Sequence, residues 1–228
     1  GFRIGVVGVG RMGKLHARVL SEMDAAELVG VYDLSPATAR AVAKQRGCGA
    51  FDDLAALADA VDAAILSVPT AAHVETARPF VKRGKPVLIE KPLCNDVRAG
   101  RELIELAEAH GTTVQVGHTE RFNPAVLAIE KYDITPKFIE ADRISPFTFR
   151  SADVGVVLDM MIHDLDLVLK LAGGSVREVH AIGVNVIGAH EDICNARLVF
   201  DNGCVANVTA SRLAIKTERK MRIFSEQA

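Results

Sequence analysis

Arg3-Ile4-Gly5-Val6-Val7-Gly8-Val9-Gly10-Arg11-Met12-Gly13 lies near the start of the chain and decides how the rest is read. Its first half is a continuous apolar run, which suits a strand buried on both faces. Its second half is Gly-x-Gly-x-x-Gly and leads into the amphipathic stretch Met12–Met23. The first glycine permits a tight turn, the second lets backbone amides approach a pyrophosphate, and the third lets the helix lie close to the strand. The start of the helix then turns its unsatisfied N–H groups toward the anion. Gly8, Gly10, Arg11, Met12 and Gly13 are therefore the expected phosphate loop of a dinucleotide. Glycine-rich turns are common, and the strand before and helix after are what make this one specific. Asp33, 20 residues past Gly13 at the end of the next apolar run, adds to it. A carboxylate there accepts hydrogen bonds from the adenosine ribose hydroxyls and repels a 2′-phosphate, which favours NAD over NADP. Arg40 is the residue that keeps NADP open, and the plainer role for Asp33 is to cap the turn before Ser35-Pro36.

Outward from this loop the chain alternates short apolar runs with amphipathic ones. Arg3–Val7, Glu27–Tyr32, Ala63–Val68, Pro86–Ile89 and Thr112–Val116 read as strands, and Met12–Met23, Pro36–Arg46, Ala72–Arg83 and Asp96–His110 as helices. Gly47, Gly84 and Gly111 each follow a helix and suit a left-handed cap. The rhythm predicts an α/β fold, a doubly wound parallel sheet with right-handed crossovers. After about residue 120 it changes. A helical segment from Pro124, a strand near Lys137–Ile144 and an apolar helix near Val156–Ala172 precede strands at Val176–Ile187, Ile193–Phe200, Cys204–Leu213 and Lys216–Phe224. Asn202-Gly203 predicts a hairpin through a type I′ turn. A second, antiparallel or mixed sheet with a helix on one face follows, with a domain boundary at 118–124.

Composition narrows the functional classes. The 228 residues are 49% hydrophobic and 25% charged, with a formal net charge of −2. Bulk electrostatics thus make no case for nucleic acid or an anionic membrane. The most apolar stretch, Val154–Leu171, is interrupted by Asp159, His163, Asp164 and Asp166, and reads as a buried helix rather than a membrane span. Cys48, Cys94, Cys194 and Cys204 are scattered, with no zinc spacing; no metal is expected, and a reducing, cytoplasmic setting is.

Candidate chemistry gathers at strand ends. Ser67, Pro69 and Thr70 close the Ala63–Val68 strand, where an open α/β sheet presents its ligand crevice. They are read as cofactor contacts, the alternative being a simple proline-led turn. His73, which starts the following helix, is counted with them against the plainer role of a cap or surface histidine. Glu90-Lys91-Pro92 follows the next strand, with Glu90 and Lys91 toward the cofactor. Partial burial would lower the lysine pKa and fit it for proton transfer. A surface Glu–Lys pair is the alternative. Asp159 and His163 stand four apart, one above the other on a helix, with Asp166 continuing the stripe. Asp159 can set the imidazole tautomer while His163 takes a hydroxyl proton, unless the pair is only structural. His118, Arg121 and Asn123 are candidate substrate contacts beside Lys91, Asp159 and His163. Arg121 can equally pair with Glu120 or a neighbouring acid.

Gly8-x-Gly10-x-x-Gly13 with His16 following, Glu90-Lys91-Pro92 and Asp159-x-x-x-His163, in this order, resemble the Gfo/Idh/MocA oxidoreductases. The resemblance implies an NAD-binding Rossmann domain over residues 1–120. It also implies a C-terminal α+β domain over 121–228, whose open, mostly antiparallel sheet serves substrate binding and homo-oligomer formation. Lys91 and His163 would be catalytic with Asp159 assisting, and the Lys91-Pro92 bond cis. The stretches from Gly117 to Ala125 and from Asp153 to Asp164 resemble, more narrowly, the branch oxidising the 3-hydroxyl of UDP-N-acetylglucosamine to a ketone. The implied substrate is a small nucleotide sugar. An inositol or free-sugar dehydrogenase and a non-catalytic NAD-binding regulator are the alternatives. Family members usually continue with further strands beyond the point matching Phe224, so a shortened member or a fragment is expected.

Overall fold

A computed structural model describes residues 1–148 and 154–226. Asp153, part of the narrower resemblance, and Gln227 and Ala228 lie outside the described residues. The chain divides into two compact units, Gly1–Gly117 and His118–Ala228.

The first unit is built on six parallel strands: β1 (Phe2–Val7), β2 (Ala26–Tyr32), β3 (Gly49–Phe51), β4 (Ala63–Leu66), β5 (Val87–Ile89) and β6 (Val114–Val116). Their order is β3-β2-β1-β4-β5-β6. Helices α1 (Arg11–Ser21), α2 (Pro36–Arg46), α3 (Leu54–Ala60), α4 (His73–Val81) and α5 (Val97–Ala109) connect them. Successive strand residues point to opposite faces. Val7 accordingly enters a core with Leu57, Ala77, Phe80 and Leu103, while Val6 enters another with Ala17, Leu20, Ala39 and Val42. Helices on both faces are why β1 is apolar without alternation. Strand β3 and helix α3 are additions to the elements delimited from sequence. Three residues of strand carry no readable period, and α3 is marked mainly by Asp53, whose carboxylate accepts the Ala56 amide at 2.8 Å. The expected glycine caps form, with positive φ at Gly47, Gly84 and Gly111.

The second unit holds a five-stranded sheet of β7 (Pro136–Ile144), β8 (Val176–Val184), β9 (Ile193–Phe200), β10 (Val205–Ser211) and β11 (Glu218–Ser225), ordered β11-β7-β10-β9-β8. Only β7 and β10 pair in parallel. Helix α6 (Pro124–Ile129) precedes the sheet, and α7 (Ile162–Ala172) packs on one face, Val168 and, just before the helix, Met161 lying with Ile139, Ala141, Leu198 and Val208 in one core.

Two expectations are corrected here. The hairpin between β9 and β10 exists, but without a type I′ turn: Gly203 has φ 86° and no described non-glycine residue has positive φ. The Asn202 side chain explains why. It donates to the Ala172 carbonyl at 2.7 Å and accepts the Cys204 amide at 3.0 Å, tying the turn to the end of α7. The apolar helix is neither wholly buried nor wholly α-helical. Leu158 and Leu169 are 36% and 49% exposed, and residues Val157–Met161 form a π-helical turn leading into α7. A π turn widens the helix locally, so Asp159 lies in the widened turn and His163 in the α-helix that follows it.

Candidate active site

The phosphate loop is built by close packing. A Cβ on Gly13 would stand 1.8 Å from the Gly8 carbonyl oxygen, and one on Gly8, whose φ is +79°, would stand 2.6 Å from the Ser67 oxygen. Only glycine lets α1 start this near to β1 and β4. Gly10 differs: a Cβ there would meet nothing within 4 Å. Gly10 is also the N-cap of α1, and no side chain caps the helix. With no capping side chain on Gly10, the first-turn amides of Arg11, Met12 and Gly13 are the helix groups left for an anion, the arrangement that receives a phosphate. A pyrophosphate fits these residues.

Asp33 joins the loop to the end of β2. Its Oδ2 accepts the Val9 amide and its Oδ1 the Ser35 amide, both at 2.9 Å. It thus performs the turn-capping role expected as the alternative. The remaining lone pairs of the carboxylate are still open to a ribose. Arg40 lies 3.6 Å from exposed Asp52.

The strand order reverses between β1 and β4, and the loops after β4 and β5 lie on the same edge of the sheet as the phosphate loop. The Ser67 amide bonds to the Val7 carbonyl at 2.8 Å, and Thr70 opens a short 3₁₀ turn, Thr70–Ala72. Lys91 is partly buried, and the Lys91-Pro92 bond is cis. Glu90 meets His16 of α1, Oε1 to Nε2, at 2.6 Å. Burial pushes the Glu90 carboxyl up, but the hydrogen bond and charge of His16, with the amide and charge of Lys91, outweigh it and hold the group below the usual carboxylate range. In the sequence His16 stands out only as the histidine following the glycine loop; 74 residues separate the partners, and no local pattern reports the contact. His73 is corrected. It is 1% exposed, and both ring nitrogens face backbone carbonyls rather than the crevice: Nδ1 to Pro92 and Nε2 to Val68, each at 2.9 Å.

In the second unit, three acids of the Asp/His helix region fare differently. Buried Asp164 forms a two-point pair with Arg143 of β7, at 2.7 and 2.9 Å. Asp166 takes Arg121 in the same way, at 2.7 and 2.6 Å, and lies 3.9 Å from His118. The neighbouring-acid reading of Arg121 is thus the one observed. Asn123 caps α6, its Oδ1 accepting the Ala125 amide at 3.0 Å. Asp159 and His163 are partly exposed at the start of the helix. That start is held by Glu191, whose backbone carbonyl accepts the Val156 amide at 3.0 Å and whose carboxylate accepts the Val157 amide at 3.3 Å. Its neighbour Asp192 is fully buried and accepts the amides of Val186, Ile187 and Gly188, with Arg212 at 2.7 Å. Sequence reading missed both of these, because neither lies in a spacing motif.

Comparison with known proteins adds a decisive observation. Residues 2–118 match the NAD-binding Rossmann fold of an oxidoreductase family, and residues 136–228 match that family's C-terminal domain. The chain belongs to the Gfo/Idh/MocA oxidoreductases. Among curated proteins, it is 37% identical over 223 residues to UDP-N-acetylglucosamine 3-dehydrogenase from Acidithiobacillus ferrooxidans, covering 97% of this chain and 71% of that protein. A solved structure of that enzyme superposes with a TM-score of 0.93, over 98% of this chain and 74% of that one. An inositol 2-dehydrogenase from Rhizobium meliloti is 31% identical over 182 residues, 75% of this chain and 55% of that protein. As a Gfo/Idh/MocA member the chain is an oxidoreductase with an NAD-binding Rossmann domain. No helix among the described residues is long and apolar enough to cross a membrane.

Proposed function

We propose that this protein is an NAD-dependent dehydrogenase that oxidises a secondary hydroxyl of a sugar to a ketone, the 3-hydroxyl of UDP-N-acetylglucosamine being the favoured site. The observation that carries the cofactor is the cradle at Gly8–Gly13: two glycines packed too tightly for any Cβ, and one left open before an uncapped helix. Arg11, Met12 and Gly13 offer their amides to the pyrophosphate, Asp33 takes the adenosine ribose, and Ser67, Pro69, Thr70 and Glu90 border the cofactor. Bound NAD supplies the acceptor for the hydride leaving the carbinol carbon. His163 accepts the hydroxyl proton, with Asp159 fixing its tautomer. Lys91 hydrogen-bonds the reacting oxygen and stabilises the charge developing on it. Likeness to the Acidithiobacillus enzyme supports the nucleotide sugar, and likeness to inositol 2-dehydrogenase names the competing class. His118, Arg121 and Asn123 are the proposed sugar-side residues. Arg121 and Asn123 already carry structural bonds, so their contribution is to keep this segment in place.

The test is NADH formation from UDP-N-acetylglucosamine against myo-inositol and free sugars. Turnover confined to the nucleotide sugar is expected. Turnover on inositol alone would replace the substrate, and bound NAD with no turnover on any of them would make the protein a regulator. His163→Ala and Lys91→Ala should each lower kcat by roughly 10²–10⁴-fold with NAD affinity retained. Near-normal kcat in both variants would sink the roles. Asp33→Ala should erode the preference for NAD over NADP; an unchanged preference removes the ribose role. The proposal extends to assembly. Val179, Ile182 and Val184 along β8, an edge strand, are 59%, 66% and 47% exposed, which supports a second copy docking on this sheet. Light scattering of the purified protein checks it.

A further inference from the structure

Lys91 stands on an irregular segment: residues 90–95 belong to no helix or strand, although the reading above asks of it a fixed place. On the residue just before it, the Glu90 amide donates to the Leu66 carbonyl at 3.0 Å. Two histidines add to this. His16 reaches from α1 to the Glu90 carboxylate at 2.6 Å, on the residue before Lys91. His73 reaches from the first residue of α4 to the Pro92 carbonyl at 2.9 Å, on the residue after it, with the Leu93 carbonyl at 3.3 Å. The opposite nitrogen of the His73 ring meets Val68 at 2.9 Å, in the loop after β4. A neutral imidazole has one N–H and a protonated one has two. In every protonation state, therefore, at least one of these two loops receives a hydrogen bond from His73.

The anchors of the two rings make the grip rigid. Helix α1 is rooted in one core through Ala17 and Leu20, and α4 in the other through Val74 and Ala77. The two cores lie on opposite faces of the sheet. We propose that His16 and His73 are positioning residues for Lys91, holding the chain immediately before and after it from the two faces of the sheet. The proposal rests on the catalytic reading of Lys91 only for its kinetic consequence. The hold on the backbone stands apart from that reading.

The test pairs each histidine with a variant that removes the bond and one that keeps a donor. His73→Leu removes it, while His73→Asn places an amide N–H where Nδ1 stood. His16→Leu removes it, while His16→Gln places one where Nε2 stood. With UDP-N-acetylglucosamine and NAD, both Leu variants should lose about 10- to 100-fold in kcat, the scale of a misplacement of about 1 Å. Their NAD dissociation constants should stay within about twofold, and the Asn and Gln variants should recover most of the rate. Equal losses in the Leu and amide variants would overturn the proposal, since only general packing would then be at stake. So would full kcat in both Leu variants while Lys91→Ala is inactive. Crystal structures of the variants read the hold without reference to turnover. The backbone at Lys91 should move in the Leu variants and return in the amide variants, and an unmoved backbone overturns the proposal even if Lys91→Ala proves active. His16→Leu, at a partly exposed position, keeps the test open should His73→Leu fail to fold.

Discussion

A Cβ on Gly13 would lie 1.8 Å from the Gly8 carbonyl oxygen, and neither side can retreat, since one belongs to the first turn of α1 and the other to the end of β1. Gly13→Ala should therefore lower stability by about 1–3 kcal/mol, in the range of overpacked interiors, as read by urea unfolding. Gly10→Ala makes the opposite case, because the added methyl meets nothing within 4 Å. It should unfold at the wild-type urea concentration while weakening NAD binding by about tenfold or more, as read by titration, because the methyl occupies the space of the pyrophosphate. At this scale the sequence was legible wherever chemistry and spacing coincide in one segment: the glycine loop, Asp33 and Glu90-Lys91-Pro92. It marked His16 and His73 but not what they bond to, since their partners are 74 and 19 residues away and include backbone atoms that no side-chain pattern reports.

Among the elements, the helix region carrying Asp159 and His163 shows the difference between a pattern and its setting. Apolar residues nearly all round predicted a buried α-helix, and the structure has a π turn at Val157–Met161 followed by an α-helix with an exposed edge. The acids on it are divided by their neighbours: Asp164 is paired with Arg143 inside the core, and Asp166 with Arg121 at its margin. Removing one partner of a buried pair leaves an uncompensated charge, so Arg143→Met should cost about 3–5 kcal/mol in urea unfolding. Arg143→Met combined with Asp164→Leu should recover much of that loss, because the desolvation cost goes with the charges. Equal stability of the single and double variants would show that the pair does not act as one unit. Strand β3 and helix α3 escaped delimitation for a related reason: elements of three and seven residues are too short to show a period.

For the whole molecule, the carboxylates held by hydrogen bonds set the acid limb of stability. The amides of Ile187, Val186 and Gly188, with Arg212, hold the Asp192 carboxyl far below the usual carboxylate range against the opposing effect of burial. Glu90 is lowered as well. A group whose pKa is depressed in the folded state contributes stability that is fully present above its unfolded value, about 3.9 for aspartate. As the pH falls below that, the unfolded chain binds protons that the folded chain refuses, and stability declines until the folded pKa is passed. Thermal midpoints should therefore fall steadily below about pH 4, and Asp192→Asn should flatten that slope, as calorimetry across pH would show. The sequence by itself determined the parallel sheet, its phosphate loop and the change to a second sheet, because burial on one or two faces is written as hydrophobic period and turns demand particular residues locally. Tertiary structure alone decided which acid meets which base, how the Asp159–His163 helix winds at its start, and what grips the chain around Lys91. Those outcomes depend on atoms brought together by packing from distant segments, where spacing along the chain carries no information.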